Sequence, residues 1–179
     1  MTDYDILLFP DRRIDGAFPV TDSHGNPVAR VSAARRGSRF TVTSVDRRPL
    51  CAGGASRWWL SGKWQVTDAD GAPLLTVTAT PLRSRASVRL ARGGELTLRG
   101  SSWRRDFTLL DAAGRIVLSA APRTSAISPR QHDYAVQQSI PPVLDLAEVI
   151  AVVQVWRMVK KSDVAVLAAT GSTTAAASA

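Results

Sequence analysis

The sequence predicts a mainly β protein, an antiparallel sandwich or barrel of roughly ten to twelve short strands, with one hydrophobic helix near its C-terminal end. Three observations predict it. A turn pattern, aromatic-x-aliphatic-x-Asp-x-x-Gly, occurs three times. The segments between carry apolar residues at alternate positions, so one face of each is buried and the other wet. The longest apolar run, LDLAEVIAVVQVWRMVKK at 144–161, carries the start and stop signals of a helix.

The first residues, MTDYDILLFPDRR, have no basic segment and place Asp3 and Asp5 ahead of their apolar residues, unlike a signal peptide. FPVTDSHGNPVARV, from Phe18, is the first copy of the turn pattern. RFTVTSV, from Arg39, is a strand candidate, and WQVTDADGAPLLTV, from Trp64, is the second copy. RASVRLARGGELTLRG, from Arg85, reads as a hairpin around Gly93 and Gly94, with Ala86, Val88, Leu90, Leu96 and Leu98 on its inner face. FTLLDAAGRIVLSA, from Phe107, is the third copy, and HDYAVQQSI, from His132, is a late strand ending at Pro141-Pro142. In the three copies Asp22, Asp68 and Asp111 accept from backbone amides two residues on. Gly25, Gly71 and Gly114 supply the positive φ needed before the second strand. The aspartates lie 46 and 43 residues apart, so each repeat unit contains more than one hairpin.

Asp145 is a good N-cap with Glu148 three residues on, and Lys160-Lys161 suit the C-terminal pole of a helix, which predicts a helix over about 145–161. Asp145, Glu148, Gln154, Arg157 and the two lysines interrupt the run too often for a membrane span. Val149 to Val153 are apolar in every direction, which marks a buried helix. In a chain of strands, the place that surrounds a helix is the inside of a closed barrel. The stripe Gln154, Arg157 and Lys161 is then expected where the helix leaves the barrel mouth. The reading is one domain over 1–163, followed by an extension, 164–179, whose low-complexity end TGSTTAAASA is expected to be disordered.

The three D-x-x-G hairpins, HDYAVQQSI after the third, and the closing helix DLAEVIAVVQVW occur in an order and spacing that resembles the LURP-one-related family, over roughly residues 4–161. That family belongs with the tubby-like and phospholipid-scramblase-like proteins. The resemblance implies a tubby-like, closed antiparallel barrel of twelve strands around a buried C-terminal helix. It transfers no catalytic motif. Tubby domains bind phosphoinositides and scramblases associate with membranes and calcium, but none of their ligand-binding positions maps onto this chain. RRPLCAGGASRWWLSGK, 47–63, departs from the pattern: it is more glycine-rich than a regular strand.

The 179 residues carry a formal net charge of +8 and a pI near 10.9, and of 23 cationic residues only Lys63, Lys160 and Lys161 are lysines. Such a balance fits an ordinary solvated surface or a polyanionic partner. Cys51 is the only cysteine, so neither an intrachain disulfide nor a cysteine-based zinc site is available, and a reducing compartment fits. His24 and His132 stand in no metal-ligand spacing, and DADG at 68–71 runs into a strand instead of completing a calcium loop. No cofactor or metal is expected, and no enzyme motif is present. Of Trp58, Trp59, Trp64 and Trp103, Trp64 occupies the inward slot of the repeat, which weakens a single-strand nucleic-acid reading. By parity Arg83, Arg85 and Arg89 share an outer face, Arg99 lies on the matching face of the next strand, and Arg104 follows. Grouped guanidiniums bind phosphate groups bidentately. The expectation is a non-enzymatic barrel in the cytoplasm, peripheral to the inner face of the membrane, that binds anionic phospholipid head groups through these five arginines or else a protein partner. A nucleic-acid-binding protein using the same face is the alternative.

Overall fold

The three D-x-x-G hairpins have the structure their residues dictate. The Asp22 carboxylate accepts from the amides of His24 and Asn26, both at 2.9 Å, and Gly25 has φ of 87°. Asp68 does the same with Asp70 and Ala72, at 3.0 and 2.8 Å, before Gly71 at φ of 83°. Asp111 accepts from Ala113 and Arg115, both at 2.9 Å, beside Gly114 at φ of 78°. Asp68 is thus a turn former whose oxygen is occupied by amides, as a plain hairpin requires.

This computed structural model describes residues 6–10, 15–34, 38–56, 62–79, 84–100, 106–123 and 133–171. The described residues form twelve strands: β1 (Ile6–Pro10), β2 (Gly16–Asp22), β3 (Pro27–Ala33), β4 (Arg39–Ser44), β5 (Pro49–Ala55), β6 (Lys63–Asp68), β7 (Pro73–Ala79), β8 (Arg85–Leu90), β9 (Glu95–Gly100), β10 (Phe107–Leu110), β11 (Ile116–Pro122) and β12 (Asp133–Gln138). One helix, α1 (Leu146–Gly171), follows. Each strand pairs antiparallel with its neighbours in the chain, and β1 closes on β12 through Leu7↔Val136 and Phe9↔Tyr134. The fold is therefore a closed twelve-stranded antiparallel barrel with a C-terminal helix packed within it, leaving no free sheet edge.

The glycine-rich β5 pairs on both sides, Gly53 with Phe40 and with Val66, with a register shift against β4 only at Val42/Thr43, next to the turn. A side chain at Gly53 would meet the Phe40 ring at 2.4 Å, so the glycine makes room for that ring inside the barrel. Residues 57–61 of the same stretch, with Trp58 and Trp59, lie outside the described residues.

Alternate residues of each strand point inward, and Phe18, Val31, Phe40, Trp64, Val77, Val88, Leu98 and Leu109 are all buried. They close around Val149 to Val153 of α1, each wholly buried. At about 1.5–3 kcal/mol for each large apolar side chain removed from water, this helix and the wall facing it supply most of the burial energy. The helix begins as its sequence predicts. The Glu148 amide donates to the Asp145 carboxylate at 2.8 Å, and the Asp145 amide donates to the Glu148 carboxylate at 3.0 Å, a reciprocal capping box.

Two expectations about α1 are corrected. Gln154 and Arg157 do not mark the exit: Gln154 is 0% and Arg157 6% exposed. Arg157 is accommodated because its guanidinium lies over the rings of Phe9 and Phe18, at 5.7 and 5.4 Å, and donates to the carbonyl of Pro10. The exit comes at half-buried Lys160, whose ammonium sits 4.5 Å from the Trp156 ring. Nor does the helix stop at Lys160-Lys161; it continues to Gly171. The residues beyond, Ser162 to Thr170, contain neither Gly nor Pro, and three alanines and a leucine favour the helix, so nothing breaks the backbone pattern before Gly171. None of the described helical residues forms a stretch long and apolar enough to cross a membrane.

Candidate functional site

β8 and β9 alternate strictly, with Ala86, Val88, Leu90, Leu96 and Leu98 buried in the barrel. Arg85, Arg89 and Arg99 are consequently exposed on the outer wall. Arg83 and Arg104 lie outside the described residues.

Register separates the three described arginines. Arg85 stands directly opposite Arg99, at the end of the hairpin away from its turn. Arg89 stands opposite Glu95, beside the turn, with its guanidinium 3.9 Å from the carboxylate, which also accepts from the Ser87 hydroxyl. Arg89 is thereby partly neutralised. Among the described residues no carboxylate pairs with Arg85 or Arg99. Like charges directly across two strands destabilise a sheet, so this pair is a place where a bound anion would relieve repulsion.

Arg99 also borders a groove of about 490 Å³ on the outer wall across β9 to β12 and β1. It exists because outward positions there carry small side chains, Thr108, Ser119, Ala121 and Ala135. Asp106 lies at the same end of the groove, so the site is not purely basic. A second outer groove, about 400 Å³, crosses β3 to β6 where Ala52 and Gly54 face outward, and Arg39 lies along it.

The same hairpin holds a fourth arginine that alternation alone could not assign. Arg92, in the β8–β9 turn, donates to the Glu148 carboxylate at 2.8 Å and to the carbonyl of Val143 at 2.6 Å. Glu148 is 2% exposed. Burial raises its pKa, opposed by the Asp145 amide and by Arg92 and reinforced by the nearby Asp145 charge. Arg92 therefore fastens the helix start to the barrel rim. The signal for it was the buried position of Glu148 in the capping box, which needs a counter-charge.

The remaining reactive groups offer little chemistry. Cys51 is buried, its thiol lies 3.8 Å from the carbonyl of Ala147, and burial with help from the Asp145 charge pushes its pKa up to about 12. It stays a thiol at neutral pH and makes a poor nucleophile. His24 is exposed in the first turn, and His132 and Trp103 lie outside the described residues. Among the described residues no three of His, Cys, Asp or Glu come together as metal ligands would. Trp64 is buried, as its place in the repeat predicts.

The fold resembles a solved structure, the X-ray structure of a protein from Arabidopsis thaliana, with a TM-score of 0.60 and 18% sequence identity over 84% of this chain and 88% of that one. At that identity the likeness speaks for the barrel architecture alone. No curated protein matches the chain. The LURP-one-related family profile matches residues 12–156, which takes in eleven of the twelve strands and most of the buried part of the helix. The hairpin order, the closed barrel, the central helix and this match agree: the chain belongs to the LURP-one-related family.

Proposed function

We propose that this protein is a non-enzymatic barrel that binds anionic phospholipid head groups at a membrane surface, from the cytoplasmic side. The observation that carries the reading is the Arg85–Arg99 pair: two exposed arginines opposite one another, with no carboxylate paired to either among the described residues, and Arg99 bordering a groove. Two forks of N–H donors side by side suit a phosphate better than they suit each other. The net charge of +8 favours an anionic surface at longer range. A nucleic-acid partner would use aromatic stacking as well, and the described tryptophans, Trp64 and Trp156, are buried.

Vesicle co-sedimentation tests the proposal. The protein should sediment with anionic vesicles, stay in solution with neutral ones, and lose binding steeply as salt is added. Arg85→Gln with Arg99→Gln should weaken binding roughly thirtyfold, at about 1 kcal/mol for each basic residue near the surface. Arg89→Gln should do less, because Glu95 already engages that guanidinium. Equal recovery on neutral and anionic vesicles, or none on either at low salt, rejects the proposal. Tighter binding to an oligonucleotide than to anionic lipid would shift the assignment to nucleic acid.

A further inference from the structure

The two ends of the barrel are unlike. Because every strand is antiparallel to its neighbours, the hairpin turns after β2, β4, β6, β8 and β10 fall at one end, together with the entry of α1. The ends of β1, β3, β5, β7, β9 and β11 fall at the other.

Charge follows the same division. At the turn end the acids Asp22, Asp46, Asp68, Asp70, Glu95, Asp111, Asp145 and Glu148 outnumber the arginines: Arg89, Arg92 and Arg115 are each paired with a carboxylate, and Arg47 and Arg48 are exposed. At the opposite end Arg39, Lys63, Arg85, Arg99 and Arg123 are exposed at or beside the tips of their strands, spread around the circumference, and half-buried Lys160 marks the axis. The described acids of that end are Asp15, Asp106 and Asp133. The barrel therefore carries a basic mouth and an acidic base.

The helix leaves through the basic mouth. Its start is fixed at the turn end by Arg92, Glu148 and Asp145. A helix of 26 residues is about 39 Å long. Strands of 4 to 7 residues span about 13–24 Å. The excess has to emerge at the far end, past Val159, the last of the described side chains to be buried, and Lys160. The emerging sequence, from Val164 to Ala169, is VAVLAA. A cationic ring around an axial apolar segment is the arrangement that peripheral membrane proteins combine: attraction to anionic lipid plus shallow insertion.

We propose that the protein stands upright on anionic bilayers, basic mouth down, with the α1 extension past Lys160 entering the head-group layer. This rests on the lipid reading above and adds the orientation and the inserting element. It makes a claim that the Arg85–Arg99 site alone does not: cations elsewhere on the mouth share in binding.

Site-directed labelling tests it on the full chain. Cys51, the lone cysteine, is buried and holds its proton, so an introduced cysteine is the reactive one. An environment-sensitive dye placed by Leu167→Cys should shift to the blue on vesicles of phosphatidylcholine and phosphatidylserine in equal parts, and be quenched by brominated lipid. The same dye placed by Ser23→Cys, in an exposed turn at the acidic end, should not change. Arg39→Gln, Lys63→Gln and Arg123→Gln together should weaken co-sedimentation roughly a hundredfold with Arg85 and Arg99 intact, whereas Arg47→Gln with Arg48→Gln at the turn end should not. If the parent binds but the triple variant binds equally well, or the Ser23 probe responds and the Leu167 probe does not, the orientation is overturned and the wall site stands. If the parent ignores anionic vesicles, both readings fall.

Discussion

Arg47 holds φ at 62°, where the four other hairpins of this kind, opening at residues 22, 68, 90 and 111, place glycine. Its turn copies theirs: the Ser44 hydroxyl accepts from the Arg48 amide at 3.1 Å, standing in for the aspartate, and the Arg47 amide donates to the Ser44 carbonyl. A D-x-x-G search passes over it because both diagnostic residues are replaced, although Phe40 and Val42 keep the aromatic-x-aliphatic lead. Gly71 and Arg47 make a matched test. A side chain at Gly71 would touch nothing within 4 Å, so Gly71→Val measures the cost of the left-handed backbone alone and should destabilise by roughly 1 kcal/mol or more. Arg47→Gly should instead raise the melting temperature, since it removes strain of about 1 kcal/mol from the same conformation. Thermal melts of the two variants check both signs. The turn aspartates predict a pH dependence. Asp22 is held below the ordinary carboxylate value of 3.8, chiefly by the Asn26 side chain, and Asp111 chiefly by the Arg115 amide. A folded value below the unfolded one gives stability that is present above pH 3.8 and lost as the pH falls through the lowered value. The stability advantage of the parent over an Asp22→Asn, Asp111→Asn variant should therefore be constant above about pH 5 and shrink below about pH 4. An advantage that grows on acidification would reverse the assignment.

At the scale of elements, strand alternation and the capping box were legible because they depend on near neighbours. Asp145 and Glu148 meet as their three-residue spacing requires, and the β8–β9 hairpin buries the face its alternation marks. The polar stripe of α1 was misread, for the barrel buries both Gln154 and Arg157, the latter against the rings of Phe9 and Phe18 and the carbonyl of Pro10. Those partners lie more than a hundred residues away in the chain, beyond any local pattern. Gly100 is a similar case: a side chain there would meet the Trp156 ring at 2.4 Å, a fit that neither segment announces. The central position of the helix has a direct test. Val152 is wholly buried, so Val152→Asp places an unpaired charge in the core and should abolish folding, at a cost of several kcal/mol. Loss of the cooperative thermal transition is the expected result. A soluble variant with the parent's transition would remove the helix from the core.

For the whole molecule, the closed ring follows from regularity in the sequence that the three D-x-x-G matches show only in part. Hairpins open at residues 22, 44, 68, 90 and 111, at spacings of 21 to 24 residues, so the spacings of 46 and 43 each contain two hairpins. The candidate site was legible as a set of outward arginines, and Arg85 facing Arg99 followed from register. That Glu95 occupies Arg89, that Arg92 serves the helix, and that charge divides between the ends depend on turns and closure, which parity along one strand does not encode. The order of the pieces along the chain has a further consequence. The wall is made first and its filling last: α1 follows all twelve strands, and β1 must wait for β12 before the ring can close. During synthesis the strands leave the ribosome with their apolar faces turned toward an interior that has no occupant yet. Completion is therefore a late event of high contact order, and until it happens the chain has the exposed strand edges and apolar surface that chaperones bind.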